Sequence, residues 1–307
     1  MNVIAHAREL PHGSAPVCAA IGFFDGVHLG HQQIIRQTIT DAGQQDGVSL
    51  VITFDRHPSS IVAPAKAPRL IYSLPQKLRT IASLGVDTVL LIHFDQAFSQ
   101  LSGETFIRQL TGDLKRLKSL CVGENFHFGH GRTGNVALLR KLGSELLFTV
   151  HGMASLSLDN KIVSSTRVRE AIVAGRLDSA SQMLGRPYSI AGSVIRGDQL
   201  GRQLGFPTAN LDVTGLVLPP AGVYASLAQV RDRKYRAVLN IGYRPTLQSA
   251  APELRVEAHL PGVELDLYGQ ELEIVLLGKL RDEQTFASLA ALRDQIARDI
   301  ARATSFF

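Results

Sequence analysis

The chain has 307 residues, 45% of them hydrophobic and 19% charged, with a net charge of +5. This describes a folded chain of one large or two ordinary domains and excludes a disordered one. No apolar run reaches the length of a membrane span, and the positive excess is small and spread out, so it suits phosphate-bearing small molecules better than nucleic acid.

At the N-terminus, Glu9, Pro11 and Gly13 stand where a signal peptide needs an apolar core, so a cytoplasmic location is expected. Residues 17–21 read as a buried strand. Next comes Gly22-Phe-Phe-Asp-Gly-Val-His-Leu-Gly-His31, and then an amphipathic run with Ile34, Ile35 and Ile39 at helical spacing. A strand therefore turns sharply into a helix, with His28 and His31 at its first turn. Free N–H groups and the helix dipole favour phosphate there, and two imidazoles one turn apart can touch the same phosphate.

Strand-like runs follow at 50–54, 88–94, 119–122 and 146–150. Helical spacing appears at 76–84, 104–117 and 135–142. This alternation predicts a parallel sheet with helices on both faces and ligands at the carboxyl ends of its strands. His28, Asp55 and Asn125 all follow strands, so three loops are expected to converge on one cleft. Cys18 and Cys121 lie in apolar runs and read as buried hydrophobes. Ser164-Ser-Thr-Arg-Val-Arg169 opens another helix. Hydroxyls there are ordinary N-caps, but with Arg167 and Arg169 they make a polyphosphate site.

Beyond residue 184 the rhythm changes to short alternating strands, at 189–195, 223–230, 235–241, 254–260 and 271–277. Turn clusters at 219–222 and 261–262 separate them, and the pattern predicts a small antiparallel barrel. A final helix over 285–303 carries Phe286, Leu289, Leu292, Ile296 and Ile300 on one face to cover that barrel. In the run from Gly197 to Asn210, glycines including Gly201 and Gly205 flank Arg202 and let backbone approach phosphate. Thr208 and Asn210 offer hard oxygen ligands suited to Mg2+. In a strand, Glu257 and His259 share one face, and Glu257 is the candidate general base for a primary hydroxyl.

The stretch from Gly22 to His31 resembles the HxGH signature of the nucleotidylyltransferase superfamily, with Ser165-Thr166 and Arg169 resembling its partner motif. With Thr53-Phe-Asp55 and Val122-Gly-Glu-Asn-Phe-His-Phe-Gly129, it resembles the adenylyltransferase module of bacterial bifunctional FAD synthetases. The second half resembles the riboflavin kinase module through Gly205-Phe-Pro-Thr-Ala-Asn210, the strings around Asn240 and Glu257, Asp266-Leu-Tyr-Gly269 and Leu280-Arg-Asp-Glu-Gln-Thr-Phe286.

The resemblance implies a Rossmann-like α/β nucleotidylyltransferase domain over 1–184, then a β-barrel riboflavin kinase domain with a C-terminal helix over 185–307. It implies that riboflavin is phosphorylated by ATP and Mg2+, and that the resulting FMN is adenylylated to FAD. Gly22, Phe24, Asp25, His28, His31, Asn125, Ser165, Thr166 and Arg169 would bind the first ATP, and Phe128 a flavin. Gly201, Arg202, Gly205, Thr208 and Asn210 would bind the second, with Mg2+ on Thr208 and Asn210, and Arg281 would order the flavin loop. No nucleic-acid or membrane partner is implied. Two departures stand out: Arg56 replaces the family's usual proline, and His127 stands where many members are basic. Arg56 either contacts a phosphate or faces water. Two rival readings are a kinase without the second activity and a non-catalytic flavin- or RNA-binding regulator.

Overall fold

The computed structural model describes residues 1–10, 15–197, 200–244 and 253–307. Pro11, Gly13 and the motif residues Asp198, Gln199, Pro245 and Thr246 lie outside them. The chain divides into two compact units, Met1–Leu70 with Leu74–Ser165, and Ile71–Ser73 with Thr166–Phe307.

The first unit is built in the order β1 (Asn2–Ile4), β2 (Val17–Ile21), α1 (Leu29–Gln44), β3 (Val48–Phe54), α2 (Ser59–Val62), α3 (Leu74–Ala82), β4 (Thr88–Ile92), α4 (Gln96–Ser99), α5 (Gly103–Leu114), β5 (Leu117–Gly123), β6 (His127–Phe128), β7 (Gly134–Asn135), α6 (Val136–Leu146), β8 (Thr149–Met153), β9 (Ser157–Leu158) and β10 (Lys161–Ile162). Six strands form one parallel sheet in the order β1-β4-β3-β2-β5-β8. Strand alternation sorts the side chains to two faces. Ala19, Ile21, Leu50, Ile52, Leu120 and Val122 pack with Ile107 and Leu110 of α5 and Leu139 and Leu142 of α6. Ala20, Val51, Val89 and Cys121 pack with Ile34 and Ile35 of α1 and Ile81 of α3. Helices therefore cover both faces, and each fully buried Ile or Leu contributes about 1.5–3 kcal/mol. Both cysteines are buried and free, and burial pushes the Cys121 thiol up to about 12.

Boundaries differ from the sequence reading where local chemistry intervenes. Strand β4 stops at Ile92 because the Phe94 amide and the His93 ring turn to the Asp55 carboxylate. Helix α5 stops at Leu114, where Lys115 takes φ 58°, and Leu117 already belongs to β5. Asn135 caps α6 rather than lying inside it, accepting from the Leu138 amide at 2.9 Å. Leu146 ends α6 and Leu147 takes φ 63°, so the strand expected at 146–150 begins at Thr149.

The second unit takes nearly all of α7 (Ser165–Val173), then α8 (Leu177–Leu184), β11 (Ser189–Ile195), α9 (Leu200–Gln203), β12 (Thr208–Asp212), β13 (Gly222–Val230), β14 (Arg233–Arg244), β15 (Glu253–His259), β16 (Glu271–Arg281) and α10 (Leu289–Ala303). The six strands close into an antiparallel barrel in the order β11-β12-β15-β14-β13-β16, with β16 pairing back onto β11. Helix α10 covers one end, where Ile300 and Ala303 pack on Val223, Ala225, Val238 and Leu280. It starts later than its periodicity suggests, because Ser288 caps it by accepting from the Ala291 amide. Phe286 thus lies before the helix, and Leu289 is 59% exposed rather than on the packed face.

Candidate active sites

The turn after β2 takes a conformation that few sequences tolerate. Phe24, Gly26 and Val27 have φ of 54°, 74° and 40°. Gly26 does this freely, whereas Phe24 and Val27 each store roughly 1–3 kcal/mol. Surrounding bonds hold them there. The Phe23 carbonyl accepts from Thr53 Oγ1 at 3.0 Å, and the Val27 carbonyl from Gln32 Nε2 at 3.0 Å. The Asp25 carbonyl accepts from Ser165 Oγ at 3.0 Å.

His28 caps α1, its Nδ1 accepting from the His31 amide, so a neutral His28 carries its proton on Nε2. The two imidazoles stack with centroids 3.6 Å apart and 19° between planes, and the buried Phe24 ring stands edge-on to His31 at 5.2 Å. Gly22 and Asp25 lie on this turn, and Gly22 donates its amide to the Ile52 carbonyl. Thr166 is exposed and Arg169 half-buried on α7.

The loops after β2, β3, β4 and β5 line one cavity of about 720 Å³. Phe23, Phe54, Phe94, Phe98, Phe126 and Phe128 form its apolar wall, with Phe126 and Phe128 stacked 5.2 Å apart. Asn125 is exposed on the turn leading into β6 and accepts from His127 Nδ1 through its carbonyl. His127 itself lines the cavity. Arg56 is half-exposed and donates to Asp55 Oδ2 from Nε and Nη2, at 3.2 and 3.1 Å. Burial opposes the Asp55 charge, but the Phe94 amide, Arg56 and His93 together hold its carboxyl below the usual range.

In the barrel, register brings Asn210, Glu257 and Asn240 directly opposite one another on β12, β15 and β14. Neighbours so placed have Cβ atoms roughly 5 Å apart on one face. Thr208 pairs with His259 two residues along, and His259 Nδ1 contacts the Pro207 carbonyl at 2.8 Å. Two cavities meet at Thr208. One, of about 330 Å³, is lined by Glu257, His259, Asn240, Arg281 and the α10 residues Leu292 and Ile296. The other, of about 550 Å³, is lined by Arg202, Ala209, Leu265 and Tyr268.

A Cβ on Gly201 would lie 2.5 Å from the Phe206 carbonyl oxygen, so that position requires glycine. Gly205 turns the chain with φ 87°, and Gly197 lies against the Asn210 amide. Arg281 is bidentate to the buried Asp299 of α10, which also accepts from Gln295. It thus anchors α10 to the end of β16.

Comparison with known proteins finds a family for each half of the chain. The FAD synthetase family profile matches residues 11–167, and the riboflavin kinase profile matches residues 184–307. The chain belongs to the bifunctional riboflavin kinase/FMN adenylyltransferase family. It is 40% identical to the enzyme of that name from Escherichia coli (strain K12), over all of this chain and 98% of the relative. It is 36% identical to that of Haemophilus influenzae, over 94% of each. A solved Streptococcus pneumoniae structure titled macrolide-efflux protein superposes with a TM-score of 0.83 at 26% identity, covering 99% of both chains. No helix among the described residues is long and apolar enough to cross a membrane.

The bifunctional family phosphorylates riboflavin to FMN and adenylylates FMN to FAD, and this chain carries both modules in that family's order. The two matches, both to enzyme modules, weigh against the regulator reading. Sequence reasoning missed one notable buried residue beside the turn after β2, Lys77. Nothing in the helical run around it distinguishes its charge from an ordinary solvated one; only the fold buries it.

Proposed function

We propose that FMN adenylylation is carried by residues 1–184 and riboflavin phosphorylation by residues 185–307, with the chemistry assigned residue by residue as follows. At the first site an FMN phosphate oxygen attacks the α-phosphorus of ATP, a new P–O bond forms, and pyrophosphate leaves. His28 and His31 stabilise the charge that builds on the pentacovalent phosphorus, aided by the α1 N-terminus. Ser165, Thr166 and Arg169 hold the β- and γ-phosphates. Gly22, Phe24 and Asp25 shape the turn, Asn125 orients the nucleotide, and Phe128 offers its ring to the flavin. The stacked imidazoles and the Ser165–Asp25 bond support this assignment. No covalent enzyme intermediate is required, so positioning and electrostatics carry the rate.

At the second site Glu257 takes the proton of the ribityl 5′-hydroxyl as that oxygen attacks the γ-phosphorus, and ADP leaves. Riboflavin enters the cavity lined by Glu257, and ATP the cavity lined by Arg202. Gly201 and Gly205 let backbone approach the phosphates, and Arg281 orders the flavin side through its hold on α10. Thr208 and Asn210, two residues apart on β12, offer hard oxygens of the kind Mg2+ prefers. When bound there, Mg2+ neutralises phosphate charge. The observation that carries this reading is the Asn210–Glu257–Asn240 row, which sets a carboxylate between amides beside the shared Thr208.

The location we assign is the cytoplasm, where ATP is available. The test follows riboflavin, FMN and FAD by chromatography after mixing protein with riboflavin, ATP and Mg2+. Changing His28 and His31 to Ala abolishes FAD formation and spares FMN formation. Glu257→Ala slows FMN formation by ~10²–10⁴ and leaves FMN-to-FAD conversion intact. Equal loss of both activities in either folded variant would reject the assignment.

A further inference from the structure

Lys77, on α3, is 3% exposed and lies against the ends of β2 and β3. Its ammonium donates to the Phe54 carbonyl at 2.8 Å, Thr53 Oγ1 at 3.2 Å and the Phe23 carbonyl at 3.3 Å. It also stands 4.4 Å from the centroid of the Phe23 ring. Its bonded partners are neutral oxygens, an arrangement that does little for stability once the cost of desolvating a charge is counted. Such a group persists where the charge serves a purpose.

The partners point to that purpose. Phe23 immediately precedes the strained turn, and its carbonyl accepts from both Lys77 and Thr53. The orientation of that carbonyl fixes the peptide plane entering Phe24, the first residue at positive φ. Phe54 ends β3, directly before the loop that carries Asp55 and Arg56. We infer that Lys77 is a positioning residue of the adenylyltransferase, its ammonium clamping β2 to β3 so that the strained turn presents His28 and His31 together. This rests on the role assigned above to those histidines.

The clamp is sensitive to pH. Two acidic groups face Lys77, Asp25 from the phosphate turn and Asp55 from the end of β3, and Asp55 is itself engaged by Arg56 and His93. The His57 ring lies edge-on to the other partner, Phe23. Burial outweighs the two acids and brings the amine down to about 8. Above that pH the amine is neutral, and its three charge-assisted bonds weaken. FAD formation then falls while FMN formation continues.

The experiment measures each half-reaction separately on the full-length protein from about pH 6.5 to about pH 9.5, for wild type, Lys77→Arg and Lys77→Met. In the wild type, kcat for FAD formation falls about tenfold with an inflection near 8, and the kinase lacks that inflection. Lys77→Met is about tenfold slow at neutral pH, with a flat alkaline limb and KM values for ATP and FMN changed less than about threefold. Lys77→Arg recovers part of the rate and also loses the inflection, because guanidinium stays charged.

A wild-type alkaline limb identical for both activities would overturn the inference, as would wild-type kcat in Lys77→Met. Should Lys77→Met fail to fold, the wild-type and Lys77→Arg profiles decide. His28→Ala separates the two levels of the argument. Its loss of FAD formation beside indifferent Lys77 variants rejects Lys77 alone, and its full activity rejects both.

Discussion

At the residue scale, Lys77 sets stability against catalysis. Its folded value of about 8 lies below the ordinary 10.5, because burial penalises the charge. Between those values the unfolded chain binds the proton more tightly, so unfolding free energy rises as pH rises through that window. The full window is worth ~3 kcal/mol. Urea unfolding of wild type and Lys77→Met at neutral and alkaline pH checks this: wild type gains stability relative to the variant as pH rises, in the range where FAD formation falls. A parallel fall of both would contradict the burial argument. His28 and His31 were legible in the sequence because they sit inside one contiguous motif whose glycines and acid announce a turn. Lys77 was not, since a lysine at helical spacing reads as solvated until a fold surrounds it.

At the scale of elements, the strands most readable from sequence are those buried on both faces or alternating, such as Val17–Ile21 and Glu271–Arg281. Two others escaped. Strand β1 has three residues, too few for a pattern, and β12 follows Gly205-Phe-Pro207, which reads as a loop. That second omission mattered, because β12 sets Asn210 beside Glu257. The residue types of the kinase site were legible, whereas their register was not.

Helix α10 teaches the same lesson: hydrophobic spacing ran on through Phe286 and Leu289, but the Ser288 cap decided the start. The attachment of α10 leads to a prediction. Asp299→Ala leaves Arg281 half-desolvated without its carboxylate, and destabilises the barrel unit by ~3 kcal/mol. Because Asp299, Leu292 and Ile296 all line the Glu257 cavity, the KM for riboflavin rises as well. Calorimetry and kinase kinetics on this variant test both effects. Unchanged thermal unfolding would show that the pair does not anchor the helix.

At the scale of the whole molecule, the residues we assign to the two activities are disjoint, and FMN is the product of one activity and the substrate of the other. Mixing the doubly substituted His28→Ala/His31→Ala protein with Glu257→Ala therefore restores conversion of riboflavin to FAD, because FMN released by the first protein reaches the second. Failure of the mixture, with each half-reaction intact separately, would mean that FMN does not leave the chain that made it. The closing pair of the barrel bears on how the protein is born. Strand β16 joins both β11 and β13, so the kinase sheet stays open until its last strand exists. Ribosomes deliver the N-terminal half first. Every residue assigned to the FMN-consuming site has emerged by Arg169, long before β16. A translation halted between them would leave a chain holding the whole set for using FMN beside an unclosed sheet that cannot make it.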